Sequence, residues 1–221
     1  EFMESLNIKD IKFALDVGTR SVIGTVGILK DNKFHVLYEK YIEHEERAMI
    51  DGQIHDIDLV AKSVKLIIDE IEKVEGIERI RIGSIEPAFF TPEVIEKIKG
   101  FKKLCPHFHL SLQSGCDATL KRMNRRYTAE EYAASVELLR ETLPDVSIST
   151  DGIVGLPGET EEEFNETYKF LERIKLTKTH VFKYSPRKGT KAADMADQID
   201  GSIKDKRSKL LIELSNKNEK E

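Results

Sequence analysis

VSISTDGIVGLPGETEEEFNETYKFLERI, residues 146–174, changes period half-way along. Residues 146–155 are short, alternating and rich in Val and Ile, the mark of a strand. Thr160 and Glu163 then have the spacing of a capping box, which opens a helix over 160–174. Pro157 and Gly158 between them read as turn formers. A strand, a tight turn and a helix of this length call for a following parallel strand reached by a right-handed crossover.

The same rhythm runs outward in both directions. RIRIGS (79–84) and HFHLSLQ (107–113) read as strands, and THVFKYS (179–185) as the last one. TPEVIEKIKGF (91–101) reads as a helix with Thr91 as its cap and Pro92 in its first position. TAEEYAASVELLRETL (128–143) repeats the capping box with Thr128 and Glu131, and residues 203–221 read as a polar amphipathic helix that frays. Before Gly76 the rhythm differs. IKFALDV (11–17), SVIGTVGIL (21–29) and KFHVLYEKYI (33–42) are joined by Gly18-Thr19-Arg20 and Lys30-Asp31-Asn32, links short enough for an antiparallel meander. After a polar stretch, IDLVAKSVKLIIDEIEKV (57–74) puts Val60, Val64, Ile67, Ile68 and Ile71 on one helical face, with Asp56 or Asp58 to cap it and Gly76 to end it.

The fold class expected from this order is α/β: a single mixed sheet in which a three-stranded antiparallel meander precedes four parallel βα units. The divisions expected are a cloning scar and leader over 1–10, where Glu1-Phe2 stands ahead of Met3, a β-β-β-α segment over 11–75, a βα segment over 76–190 and a helical tail over 191–221, packed as one domain. Thirty-five basic against 40 acidic side chains leave a net charge of −5, which rules out a general polyanion binder and leaves room only for a local basic patch. Lys121, Arg122, Arg125 and Arg126 form such a patch, read either as a contact for RNA phosphate or as a solvated helix end. No apolar run is long enough to span a membrane, and no leader pattern is present, so a cytoplasmic protein is expected. The two cysteines, Cys105 and Cys116, read as free thiols. His107 and His109 share a strand face but lack any zinc-ligand spacing, so no metal site is expected.

Two resemblances follow from longer motifs. FALDVGTRSVIGTVG (13–27) with EHEERAMIDGQIHDIDLVAKSVK (43–65) resembles the start of the actin-like, FtsA-like cell-division ATPase family over roughly residues 11–65. That resemblance implies a phosphate loop at Asp16, Gly18 and Thr19 serving ATP and Mg²⁺. The opposing lobe such a site needs has no counterpart after residue 75, so only vestigial phosphate binding is expected.

GIERIRIGSIEP (76–87), KLCPHFHLSLQSGCDATLKRMNRRYT (103–128), the opening stretch and HVFKYSPRKGTKAADMADQIDGSIKDKRS (180–208) resemble the later half of the barrel of MtaB-like radical-SAM tRNA methylthiotransferases. Leu156 stands where that family has Phe, and Lys191 where Pro is common. The resemblance implies an S-adenosylmethionine (SAM) rim at Ser84, Glu86, Gln113, Ser114, Gly155, Glu159, Tyr184, Ser185 and Arg187. Polar groups at the C-terminal ends of strands are where α/β sheets take their ligands. The family also needs a [4Fe–4S] cluster on a C-x3-C-x2-C loop, and two cysteines eleven apart do not make one. These observations set the expectation of an engineered or recombined chimera with its seam in 62–76, folded, without inherited catalysis and without a cofactor, and pairing as a homodimer to cover the free face of its sheet. Residual binding of SAM or tRNA, or of ATP phosphate by the hairpin, are the rival expectations.

Overall fold

The computed structural model describes residues 11–17, 21–30, 32–43, 49–50, 53–54, 57–75 and 77–220. The chain divides into two compact units, Glu1–Phe108 with Leu138–Val146, and His109–Glu137 with Ser147–Glu221.

In the first unit, β1 (Ile11–Val17), β2 (Ser21–Lys30) and β3 (Lys33–Glu43) form an antiparallel sheet in the order β1-β2-β3. Phe13 lies opposite Val26, and Thr25 opposite Glu39. The register slips between Val26 and Gly27, which face Tyr38 and Val36, so Leu37 is an extra residue in β3. A Cβ on Gly27 would sit 2.5 Å from the His35 carbonyl oxygen and from the Phe34 ring, so the close approach there requires glycine. A two-residue pairing of β4 (Met49–Ile50) with β5 (Gln53–Ile54) follows. Helix α1 (Ile57–Glu72) buries Val64, Ile67, Ile68 and Ile71, as its periodicity predicts. Lys40 of β3 reaches Glu70 of α1 at 3.6 Å.

The stretch 79–84 alternates as a strand does, with Ile80 and Ile82 buried and Arg79 and Arg81 exposed. Only Ile80 is laddered there, in parallel with Leu104, and regular pairing resumes at β6 (Ser84–Ile85). A short 3₁₀ turn, Pro87–Phe89, leads to α2 (Pro92–Ile98), whose cap Thr91 accepts a hydrogen bond from the Val94 N–H at 3.3 Å. Phe90 packs edge-on against Phe89 and against Phe108 of β7 (His107–Leu110).

The second unit takes up the chain within β7. It holds α3 (Asp117–Arg122), most of α4 (Ala129–Thr142), β8 (Ser147–Val154), α5 (Glu161–Ile174), β9 (Lys178–Lys183) and α6 (Gly201–Asn218). β8 and β9 run parallel, with Ser149 opposite Lys178 and Val154 opposite Lys183. Both predicted capping boxes form. Thr160 and Glu163 exchange side chain-to-backbone bonds at 3.1 and 3.2 Å, and Thr128 and Glu131 at 2.8 and 3.1 Å. The tail predicted to fray is docked instead: α6 buries Leu211 and Leu214, and its Ser215 Oγ accepts the β9 Thr179 N–H at 2.9 Å.

The architecture is α/β, but the expected single mixed sheet is corrected. The meander stands alone as a three-stranded sheet, and the later strands form a second sheet in the order β6-β7-β8-β9. β6, the edge strand that follows the meander in the chain, offers a ladder only two residues long.

Candidate functional site

In β7–β9, alternate residues divide the sheet into two unlike faces. Leu110, Ile148, Thr150, Val154 and Thr179 are buried. The alternate positions carry His109 and Asp151, half-buried, His180 and Phe182, exposed, and Ser149, buried between them. The His109 Nδ1 lies 3.1 Å from Ser149 Oγ and its Nε2 lies 3.3 Å from Asp151 Oδ2. The His180 ring lies 5.8 Å from that of His109, tilted by 35°. Parallel strands are ordinarily apolar on both faces. A partly exposed His-Asp-His surface in mid-sheet has the character of a ligand-facing wall.

The rim above that wall is built by backbone. Tyr127 Oη donates to the Ser111 and Leu112 carbonyls at 2.7 and 2.9 Å, strapping down the segment after β7. Gln113 then adopts a left-handed backbone, φ 73°, and re-enters the ladder beside β8: its N–H donates to the Asp151 carbonyl at 2.9 Å, and its carbonyl accepts the Ile153 N–H at 2.8 Å. Gly155, φ 74°, makes the turn out of β8, and a Cβ there would lie 2.4 Å from the Lys204 side chain. Tyr184 follows β9; its N–H donates to the Val154 carbonyl at 2.9 Å, and Lys204 lies over its ring. Its hydroxyl is buried and has no hydrogen-bond partner among the described residues.

The expected rim residues divide on this geometry. Gln113, Gly155 and Tyr184 come together at the C-terminal ends of their strands. Ser114 turns inward, its hydroxyl 2.9 Å from Thr167 Oγ1 and accepting the Cys116 N–H, so it braces α3 against α5. Glu159 also turns inward. It accepts from the Gly155 N–H at 2.8 Å and from Arg207 Nη1 at 2.6 Å, and both side chains of this pair are almost fully buried. Burial pushes the Glu159 carboxyl above its ordinary value, while the Gly155 N–H and Arg207 pull it back. Ser185 and Arg187 are exposed, and Arg187 supplies a carbonyl to the turn closed by Thr190. In the other unit, Ser84 is exposed as the first residue of β6 and Glu86 precedes the 3₁₀ turn. Sequence reading did not single out Ser149, Asp151 or His180. The available signal was polar residues at every second position of β8 and β9.

Of the basic patch, Arg122 is engaged by both carboxylate oxygens of Glu163 and by Thr119 Oγ1. Lys121 and Arg126 are exposed, and Arg125 is half-buried. Asp16 sits in β1 opposite Ile23, whereas Gly18 and Thr19 lie outside the described residues.

Tested against an iron–sulfur cluster, the residues present do not fit. Cys105 is half-buried and Cys116 buried, and burial pushes the Cys116 thiol up, away from the thiolate a cluster needs. Among the described residues no three His, Cys, Asp or Glu gather as metal ligands. Tested against SAM, the unpartnered Tyr184 hydroxyl and the glycine-bound rim do fit a polar ligand. No described helix is long and apolar enough to cross a membrane.

The Radical SAM superfamily model matches residues 54–171, more than half of the chain. Over 157 residues the chain is 47% identical to the threonylcarbamoyladenosine tRNA methylthiotransferase MtaB of Bacillus subtilis, which covers 71% of this chain and 35% of the relative. It is 45% identical over 148 residues to the tRNA-2-methylthio-N(6)-dimethylallyladenosine synthase of Thermoanaerobacter pseudethanolicus, covering 67% and 31%. The chain therefore spans about a third of the length of these curated relatives. Among solved structures, coproporphyrinogen III oxidase HemN of Escherichia coli superposes with a TM-score of 0.58 at 19% identity, over 72% of this chain and 37% of that one, a likeness of fold.

These matches overturn two expectations. A chimera without inherited catalysis does not agree with relatives that are enzymes by name, and the expectation of no cofactor does not agree with a family named for SAM. The actin-like resemblance of residues 11–65 gains no support, and the family match itself begins inside that stretch, at residue 54. The chain belongs to the radical SAM superfamily.

Proposed function

We propose that this chain is part of the barrel of a radical-SAM tRNA methylthiotransferase, and that the C-terminal ends of β7–β9 bind SAM while the His109–Asp151–His180 wall beneath them faces the substrate adenosine. The observation that carries this reading is the buried Tyr184 hydroxyl, which lacks a partner at the same sheet end as the left-handed Gln113 and Gly155. A buried hydroxyl left unpaired costs about 1–3 kcal/mol, a penalty that a ligand hydrogen bond removes. The relatives' names supply the substrate class, tRNA carrying a modified adenosine, and a methylthio group as what is added.

SAM held at these strand ends would supply methyl-donor and radical chemistry. The radical chemistry needs a cluster that these two cysteines do not seat, so the work of this chain's own residues is binding and orientation. Gln113 and Gly155 present backbone at the rim. Asp151 and Ser149 flank the His109 ring on either side, at 3.3 and 3.1 Å. Glu159 and Arg207 fix the turn on which Gly155 sits. Ser185 and Arg187, in the same unit, complete the proposed set, and Lys121 and Arg126 remain available to RNA phosphate.

The test is isothermal titration of the chain with S-adenosylhomocysteine. Saturable heat at one site is expected, and Tyr184→Phe is expected to weaken it about tenfold, in line with loss of one buried hydrogen bond. A silent titration of folded protein sinks the proposal.

A further inference from the structure

We infer that β1 is a self-recognition edge, through which two copies of this chain join their meanders into one six-stranded antiparallel sheet. β1 ends its sheet: the order is β1-β2-β3, and among the described residues no strand pairs with its other side. All seven residues are matched one-to-one with β2, without the slip that distorts β3. A bulge bends an edge away from pairing, so among the described residues the two outer strands of this sheet differ, and only β1 presents a regular ladder.

Symmetry selects the register. A two-fold axis between antiparallel copies of one strand must place some residue opposite itself, because opposed residues share the same hydrogen-bonding phase. Centred on Ala14, the strand Ile-Lys-Phe-Ala-Leu-Asp-Val opposes itself as Ile11 with Val17, Lys12 with Asp16, and Phe13 with Leu15. Every apolar residue meets an apolar one, and each charge meets its opposite twice. Moving the axis to Phe13 or Leu15 sets Lys12 against Ala14 or Asp16 against Ala14 and loses both ion pairs.

The faces also agree. Phe13, Ile11 and Val17 are registered with Val26, Ile28 and Val22 of β2, of which Val26 and Ile28 are buried. Lys12 and Ala14, registered with Gly27 and Thr25, are exposed. Pairing by this register therefore keeps Lys12 and Ala14 exposed and sets Ile11, registered with the buried Ile28, on the other face. A lone edge lysine ordinarily guards against pairing. Here the same strand carries the acidic residue that cancels it. The occupant is a second copy of this chain.

Light scattering at increasing concentration tests this. A mass approaching twice 25.2 kDa is expected. Lys12→Asp or Asp16→Lys alone sets like charges opposite each other at two symmetric positions and is expected to weaken the dimer by about tenfold or more. Lys12→Asp with Asp16→Lys restores the pairing and the mass. Thermal melts of all three variants matching the wild type confirm that the fold is kept, since Lys12 is exposed. A monomer mass throughout, or a dimer that ignores both reversals, overturns the inference. Neither result bears on S-adenosylhomocysteine binding.

Discussion

Arg207 and Glu159 lie 48 residues apart in sequence and meet at 2.6 Å in an almost fully buried pair. Arg207 also donates to the Glu159 carbonyl at 3.1 Å and to Glu161 at 3.2 Å, with its guanidinium over the Phe164 ring. Removing one partner strands the other as a buried charge. Arg207→Met is therefore expected to cost about 3–5 kcal/mol, measured by urea denaturation. Adding Glu159→Gln is expected to return part of that loss, because a neutral amide still accepts the Gly155 N–H. The Arg122–Glu163 pair makes a second, pH-dependent prediction. Arg122 holds the Glu163 carboxyl below its ordinary value. The folded value then lies under the unfolded one, so the stabilisation is whole above the unfolded value and is lost as pH falls through the folded value. The gap in denaturation midpoint between wild type and Arg122→Leu is expected to narrow on acidification across the carboxylate range. Neither pair was legible in sequence. Motif position marks Glu159 as a rim residue and Arg122 as part of a basic patch, but which way a side chain turns depends on partners more than forty residues away.

Elements were more legible, for a physical reason: caps and periodicity act within a few residues. The Thr160–Glu163 box, the Thr128–Glu131 box and the Thr91 cap each form where the sequence places them. α5 closes at Lys175, φ 44°, after burying Phe164, Phe170, Leu171 and Ile174. Thr160→Ala is expected to cost about 1 kcal/mol, read as a lower thermal midpoint, with Thr160→Ser close to wild type. The ladder is where local reading stops. RIRIGS has a strand's alternation, yet hydrogen bonds at only Ile80, to Lys103 and Cys105 at 2.8 Å, before β6 begins. Likewise the polar composition of α6 pointed to fraying, while its docking rests on Leu211, Leu214 and one serine meeting a strand edge. A strand's neighbours and a helix's seat are set by distant sequence, which periodicity does not contain.

At the scale of the whole chain, the change of rhythm near Gly76 does not mark where the units divide, which is within β7 and α4. A continuous strand can serve two cores, because its ends pack on different side chains: Phe108 on Phe90 in one unit, Leu110 beside the Tyr132 hydroxyl in the other. The proposed rim belongs to the second unit, in residues drawn from three strand ends and braced by α6. The meander carries none of it. Ligand binding stabilises most strongly the backbone whose local opening it opposes. Hydrogen exchange with saturating S-adenosylhomocysteine is therefore expected to slow amides around Gln113, in the turn 155–159 and at Tyr184, while β2 and β3 exchange as in the free protein. Equal protection across the meander would mean that the ligand acts on the whole chain, or sits on the β1–β2 side, and the assignment of the site to the ends of β7–β9 would fail.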